Sequence, residues 1–272
     1  MTTPQISFYM TVKNGGRYLR EAVDSIRAQD ITDWEAVIVD DGSTDDTPAY
    51  LESLSSEDPR FCVKLTPGIG RGKALNIAVS MCQADIVTNL DADDLAHPHR
   101  ARVLLETMRA YTEYDVVAGK SQLILDDGKP EWALGAQPAS SLTDVTRRLA
   151  HANPVGHSTV GIRRAAMRSV EGYDEERISQ FDYELWVRLA LAGYRLGAID
   201  VTLGAKRSHT GQSYERREHL RYVLRSAPVQ WRAVRGLGAN RAFGGIRVIA
   251  RVIWASMPVK GRMWVRRMGF LG

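Results

Sequence analysis

Short apolar runs alternate with amphipathic stretches along the first 112 residues. Ile6 to Thr11 (ISFYMT) is largely apolar and predicts a first strand, which Gly15-Gly16 breaks. From Arg17 to Gln29, Leu19, Ala22, Val23 and Ile26 recur at helical spacing. Glu35 to Asp40 (EAVIVD) is a β-branched run and predicts a second strand, ending in DDGSTDDTP. Pro48 suits the first turn of a helix reaching about Leu54, with Thr47 as its N-cap. Phe61 to Leu65 predicts a third strand. A glycine-rich loop follows, Pro67-Gly68-Ile69-Gly70-Arg71-Gly72-Lys73, and then a helix from Ala74 to Met81. Asp85 to Leu90 (DIVTNL) predicts a fourth strand, and Pro98 opens a helix through about Tyr111. Strands alternating with helices of this length imply βαβ units with right-handed crossovers. The expected fold is α/β, on a mostly parallel, doubly wound sheet.

Beyond Asp115 the pattern loosens. Val116 to Leu125 reads as one or two strands, with a turn at Asp126-Asp127-Gly128. Ser141 to Leu149 reads as a helix. Asp182 to Ala192 (DYELWVRLALA) predicts another, with Leu185, Trp186, Leu189 and Ala190 on one stripe. No internal repeat or low-complexity linker interrupts the chain.

The chemistry concentrates at Asn89-Leu90-Asp91-Ala92-Asp93-Asp94, at the carboxyl end of the fourth strand. In an open α/β sheet, ligands bind beyond those ends. Carboxylates gathered there repel one another unless a cation sits among them. Mg²⁺ prefers oxygen ligands and is usually held by one or two carboxylates plus substrate phosphates. An acid cluster of this kind also occurs as a solvated turn. A calcium-binding EF-hand loop is excluded: counting from Asp91, position 6 is Ala96 and position 12 is Arg102, where Gly and Glu are required.

At 272 residues the chain suits one large domain with a tail, or two small domains. Cys62 and Cys82 are its only 2 cysteines, which give no disulfide framework or zinc spacing and suit a reducing cytoplasmic setting. The N-terminal MTTPQISFYMTV lacks the basic start and cleavage site of a signal peptide, and no apolar run is long enough for a transmembrane helix. The net charge of +4 is unevenly spread. Residues 205–272 hold fifteen Lys/Arg against two acids, a balance of +13, so residues 1–204 carry −9. An acidic body with a basic tail implies two jobs.

Three strand ends carry polar residues: Thr11-Val12-Lys13-Asn14, Asp40-Asp41-Gly42-Ser43 and Asp91-Ala92-Asp93-Asp94. Added to these are the VDDGSTDDT turn, G-K-A-L-N at Gly72 to Asn76, Pro98 after the acids, Q-F-D-Y-E-L-W-V-R-L at Gln180 to Leu189, and Arg207-Ser208-His209. In this order the motifs resemble the family-two inverting glycosyltransferases with the GT-A fold, over roughly Ile6 to His209. The resemblance implies a GT-A-like domain at 1–213, with a nucleotide-binding half at 1–112 and an acceptor half at 113–213. Residues 214–272 remain as a basic amphipathic helical tail. It implies transfer of a sugar from a nucleotide-sugar donor, usually a UDP-sugar, to a saccharide or glycolipid acceptor, with Mg²⁺ or Mn²⁺, in surface polysaccharide assembly at the cytoplasmic membrane face.

Residue by residue, Asp41 resembles the acid that reads the base, and Thr11 a residue beside it. Asp93 resembles the metal-binding acid, and Asp91, with Ala92, lies near ribose or metal-bound water. Asp182 resembles the catalytic base, and His209 a residue that closes over the metal or diphosphate. Asn14 and Asn76 fall inside matched motifs and join the donor-binding set. Lys13 departs from the family, which commonly places an aromatic there to stack on the base. A cation at that position is suited to a phosphate instead.

Elementary chemistry agrees. A diphosphate leaving group needs charge stabilisation, and an acceptor hydroxyl needs a base to take its proton. Attack opposite the leaving group inverts the anomeric centre, so one base suffices. Two readings stand for the G-x-G-x-G loop: a carrier that brings Arg71 or Lys73 to the phosphates, or a solvated loop. Two stand for His157: a residue near donor sugar or acceptor, or a buried, satisfied histidine. In the tail, Ile246, Ile249, Ile253 and Met257 share one helical stripe among arginines. That pattern suits an anionic membrane surface, or a helix packed on the body or on a second copy in a homodimer. No nucleic-acid motif accompanies it, so nucleic acid is not an expected partner. A sugar nucleotidyltransferase is the rival enzyme class, but Lys13-Asn14-Gly15-Gly16-Arg17 matches its loop poorly. A catalytically inert nucleotide-sugar-binding module is the non-enzyme rival.

Overall fold

The computed structural model of the protein describes residues 3–132, 141–208 and 219–257. In its first half β1 (Ile6–Val12), α1 (Gly16–Arg27), β2 (Trp34–Asp41), α2 (Thr47–Glu57), β3 (Phe61–Thr66), α3 (Arg71–Met81) and β4 (Ile86–Asn89) follow the predicted alternation. The short β5 (Leu95–Ala96) and α4 (Arg100–Ala110) complete it. The second half holds β6 (Val116–Leu125), β7 (Leu142–Asp144), β8 (Val160–Arg163), α5 (Arg164–Ser169), α6 (Phe181–Leu191), β9 (Leu196–Ser208), α7 (His219–Gly236) and α8 (Arg241–Ser256).

The nine strands among the described residues belong to one sheet, ordered β3-β2-β1-β4-β8-β6-β9-β5, with β7 paired to β9. From β1 the chain winds outward to β2 and β3, then returns to place β4 on the other side of β1. That reversal leaves a crevice beyond the carboxyl ends of β1, β2 and β4. The pairs β1–β2, β2–β3 and β1–β4 are parallel. Pairing turns antiparallel where β8 inserts between β4 and β6, and parallel again between β6 and β9. The sheet is therefore a mixed α/β sheet whose parallel part holds the expected crevice.

Alternation along the strands sends side chains to two cores. Ile6, Phe8 and Met10 of β1 and Ile38 of β2 meet α1, α2 and α4 on one face. Tyr9, Val37 and Val39 meet α3, α5 and α6 on the other. Helices on both faces explain why β1 and β2 read as near-continuous apolar runs.

Two elements differ from expectation. Residues 142–144 are a strand followed by a 3₁₀ turn rather than a helix. Leu142 pairs with Ile199, and Asp144 Oδ1 accepts the Thr146 N–H at 2.9 Å, which closes a turn that a helix cannot share. The thirteen-residue β9 was hidden because Gly197 and Gly204 interrupt its apolar pattern. Both sit at close approaches: a Cβ on Gly197 would lie 2.5 Å from Leu142 Cδ2, and one on Gly204 2.9 Å from Leu95 O.

Beyond residue 213, α7 packs on the body. Val229 and Ala233 are buried in the core under α6. Gln230 Nε2 donates to His151 O at 2.8 Å, and Arg232 pairs with the buried Glu184 of α6. Outside it, α8 lies against α7, with Gly244 pressed on Val234. Among the described residues, no helix is long and apolar enough to cross a membrane.

Ala233→Arg should therefore cost about 3 kcal/mol or more, because it buries an unpaired charge, and Val229→Ala about 1 kcal/mol. Ile249→Ala, on the exposed side of α8, should stay within about 0.5 kcal/mol. Urea unfolding midpoints check this. Equal midpoints for all three would show that α7 is not part of the fold.

Candidate active site

The exits of β1 and β2 are stitched together. Asn14 takes φ +55°, its N–H donates to Ser43 Oγ at 2.7 Å, and its Oδ1 accepts the Thr44 N–H at 2.8 Å. Thr47 Oγ1 accepts the Gly15 N–H at 3.0 Å, so Thr47 ties two turns together rather than capping its own helix. Asp41 accepts the backbone N–H groups of Ile69 at 2.6 Å and Gly70 at 3.0 Å, and the Thr66 hydroxyl at 3.1 Å. Gly42, at φ +77°, presses on this loop, where a Cβ would lie 2.8 Å from Gly68 N. The Asp41 carboxylate thus fixes the glycine loop, and α3 starts at Arg71 instead of Ala74. The anticipated loop residues Arg71 and Lys73 belong to its first turn.

From that turn Arg71 Nη2 reaches Asp91 Oδ1 at 2.7 Å. Burial raises the Asp91 carboxyl, but Arg71 and His157 outweigh it and hold the group well below the usual carboxylate range. His157 is clamped at both ring nitrogens. Nδ1 lies 3.3 Å from Asn89 Nδ2 and 3.6 Å from Asp91 Oδ1. Nε2 lies 2.8 Å from the Tyr173 hydroxyl, itself 2.6 Å from that of Tyr9. Burial raises the Tyr173 hydroxyl well above its ordinary range, so this chain is neutral at its inner end.

The rest of the acid turn is held from below. Asp94 is buried and accepts the Arg207 N–H at 3.0 Å. Burial, and then Asp91 and Asp93, push its carboxyl up to about 7. Arg207, also buried, donates Nε to Asp93 O at 3.2 Å and Nη2 to Glu21 Oε2 at 2.5 Å. Arg100 donates to Thr88 Oγ1 at 2.7 Å and to Asn89 O, and burial lowers it to about 9.

Asp182 stands in the first turn of α6, which follows Gln180 in the left-handed region at φ +59°. Its Oδ2 accepts from Asn153 Nδ2 at 2.8 Å. The starts of α3 and α6 touch: a Cβ on Gly72 would lie 2.9 Å from Glu175 Cα and 3.2 Å from Phe181 Cε1. Arg71 accordingly feels both halves of the site. Asp91 raises its guanidinium most, burial opposes this, and Asp93 and Asp182 add to the rise.

The geometry therefore gathers Asp41, Arg71, Asp91, Asp93, His157 and Asp182. Thr11 is the penultimate residue of β1 and half-buried, and Lys13 is exposed, with Nζ 3.9 Å from a Cβ built on Gly68. Lys73 is exposed on α3, and Ala92 packs against the core. Asn76 is a clamp. Its carboxamide donates to Tyr173 O at 2.9 Å and to Glu175 Oε1 at 3.0 Å, and accepts the Tyr173 N–H at 2.8 Å. His209 lies outside the described residues. Sequence reasoning missed Tyr9, Arg100, Asn153, Tyr173 and the bonds of Arg207. Only Arg207 and Asp94 stood inside a quoted motif, so they alone carried a signal.

No group of three or more ligating side chains closes on a metal among the described residues. Asp91 and Asp93 are hard oxygen donors two positions apart on one turn. They fit a divalent ion that takes its remaining ligands from phosphates and water. An open depression of about 460 Å³, lined by Asp144, Arg147, Arg148, Tyr194 and Arg195, lies at the other end of α6, away from these acids.

Asp94 keeps its proton in the folded protein up to about pH 7, whereas an unfolded aspartate loses it near 3.8. The stabilisation from its neutral form is full below about pH 4 and is lost as pH rises through about 7. Asp94→Asn removes that titration and keeps the shape. In chelator, its melting temperature should fall less than that of wild type between about pH 5 and pH 8. Identical slopes would contradict the buried, proton-holding Asp94.

The glycosyl transferase family 2 model matches residues 7–170. The amylovoran biosynthesis glycosyltransferase AmsE of Erwinia amylovora is 26% identical over 250 residues, covering 89% of this chain and 90% of that protein. Among solved structures, S. aureus TarS 1-349 in complex with UDP-GlcNAc superposes with a TM-score of 0.67 at 18% identity, over 92% of this chain and 72% of that 1-349 chain. Mannosyltransferase PcManGT from Pyrobaculum calidifontis, in complex with GDP-Man and Mn²⁺, superposes with a TM-score of 0.61 at 17% identity, over 99% of this chain and 80% of that one. The architecture is the GT-A-like one that the motifs implied, and the chain belongs to glycosyl transferase family 2.

Proposed function

We propose that the crevice beyond β1, β2 and β4 binds a nucleotide diphospho-sugar, and that the protein transfers the sugar with inversion to a hydroxyl of a saccharide or glycolipid. One observation carries the reading: at the start of α3, Arg71 pairs with Asp91 of the acid turn at 2.7 Å while Gly72 presses on Glu175 and Phe181, beside Asp182 of the second half. A cleft lined by acids from both halves is what a donor phosphate, a divalent cation and an acceptor proton require together.

Asp41 and the stitched turns at Asn14 and Ser43 form the floor on which the nucleoside rests. The base is open between uridine and guanosine, because TarS was solved with UDP-GlcNAc and PcManGT with GDP-Man. Lys13 and Arg71 face the diphosphate. Asp93, with Asp91, would hold Mg²⁺ or Mn²⁺. The ion, when bound, offsets the charge that develops on the leaving diphosphate. His157, fixed by Tyr173, orients Asp91. Asp182 takes the acceptor proton as the acceptor oxygen bonds to the anomeric carbon. The bond from that carbon to the diphosphate oxygen breaks, and the nucleoside diphosphate leaves with the electron pair. At the start of α6, Asn153 aims Asp182 by donating to its Oδ2. AmsE is a glycosyltransferase of amylovoran biosynthesis, which supports polysaccharide assembly as the setting for this chain.

The test is a thermal-shift panel of UDP-, GDP-, dTDP- and CDP-sugars, each with and without Mn²⁺. At least one should stabilise the protein in a metal-dependent way, by about 2.7 kcal/mol at one hundred times its dissociation constant. Asp93→Ala should abolish that dependence, and its persistence would reject Asp93 as the metal-binding acid. Asp182→Asn should keep donor binding and lower turnover by roughly 10² or more. Turnover within a few-fold of wild type would place the base elsewhere.

A further inference from the structure

The α7–α8 hairpin takes no part in the chemistry above, yet it carries an unusual surface. Its two helices have opposite faces. Inward, Val229, Ala233 and Val234 are buried, Ala255 is buried, and Gly244 lets α8 lie on α7. Outward, Phe243, Ile246, Ile249 and Ile253 of α8 are 64%, 64%, 61% and 53% exposed. Their spacing of three, three and four residues puts them on one stripe. Leu224 and Trp231 of α7 are also exposed, seven residues apart. Residues 219–257 hold seven arginines and no aspartate or glutamate. Arg241 and Arg247 lie in the exposed part of α8, while Arg251 is turned to Gln230 at 3.2 Å.

We propose that this outward face of α7 and α8 docks the protein on an anionic lipid surface. An amphipathic helix with large apolar side chains on one side and arginines beside them lies in the membrane interface, its apolar row among the acyl chains and its cations at the headgroups. Charge selects the occupant. A second copy docking through the same face would bring its own Arg241 and Arg247 against those of the first. A nucleic acid would satisfy the arginines and leave the Phe243–Ile253 row unmatched. An anionic bilayer satisfies both. The −9 of residues 1–204 turns the body away from the same surface, so attraction and repulsion act in one sense and orient the molecule. Beyond the described residues the sequence stays basic and aromatic, with Lys260, Arg262, Trp264, Arg266 and Arg267.

The experiment is co-sedimentation of the full chain with vesicles of phosphatidylglycerol mixed with phosphatidylcholine, against phosphatidylcholine alone, at low and high salt and without nucleotide. Wild type should pellet with the anionic vesicles at low salt and remain in solution at high salt, where charges are screened within about 3 Å at 1 M. The triple variant Phe243→Ser, Ile246→Ser, Ile249→Ser changes exposed positions only. It should melt as wild type does and bind the anionic vesicles roughly tenfold more weakly. Arg241→Gln with Arg247→Gln should reduce the preference for anionic over neutral vesicles. Wild type that ignores anionic vesicles, or a triple variant that binds them as well as wild type, overturns the proposal. So does a dimer, seen by light scattering, that the triple variant abolishes while vesicle binding is absent. Because no nucleotide is present, this outcome is read separately from donor binding and sugar transfer.

Discussion

Like charges repel, and the carboxyl end of β4 gathers Asp91, Asp93 and Asp94 within four residues, with Asp182 brought in from α6. The surrounding structure balances that repulsion by three separate means. Arg71 and His157 keep Asp91 ionised. Asp94 escapes by holding its proton to about pH 7. Arg207 and Arg100 bind the backbone of the turn from within the fold. Asp91 is left charged with Arg71 beside it, and Asp93 stands two positions further along the same turn.

Each of those partners needs its own anchor, and this explains much of the second half of the chain. Arg71 is aimed because Asp41 holds the loop ahead of α3. His157 is aimed because Tyr173 stands in a turn clamped by Asn76 and by Arg188, whose guanidinium donates to Gly172 O at 2.5 Å and pairs with the buried Glu184 at 2.8 Å. The Glu184–Arg188 pair sits one helical turn apart on α6, in the same helix that carries Asp182. The Asp-Tyr-Glu-Leu-Trp-Val-Arg block therefore joins a candidate base to the scaffold that positions the opposite wall of the crevice.

The first half of the fold was legible because its strands are buried on both faces and its helices are amphipathic, so periodicity and burial agree. Asp91, Asp93 and Asp182 were legible because short motifs hold them at helix starts and strand ends. What escaped has a common cause. Tyr9 looks like a core residue until its hydroxyl finds Tyr173, 164 positions away. Asn153 and Tyr173 lie in irregular backbone with no period to read. Asn76, inside a quoted motif, is a clamp rather than a ligand-facing group, because motif membership does not say which way a carboxamide is turned. The charge break at residue 205 was visible. That the tail packs on the body stood only as one of two readings, since the arginine-rich outer face of α7 masks the few buried positions that matter.

The central claim is that one crevice, at the ends of β1, β2 and β4, holds the donor. Hydrogen exchange followed by mass spectrometry, with uridine, guanosine, thymidine and cytidine diphosphates in turn and Mn²⁺ present, addresses it directly. With the nucleotide that binds, protection should appear in segments 11–16, 40–44, 66–72 and 89–94, and not at the depression around Arg147, Tyr194 and Arg195. Protection centred on that depression, or none in the four segments with any nucleotide, would contradict the account.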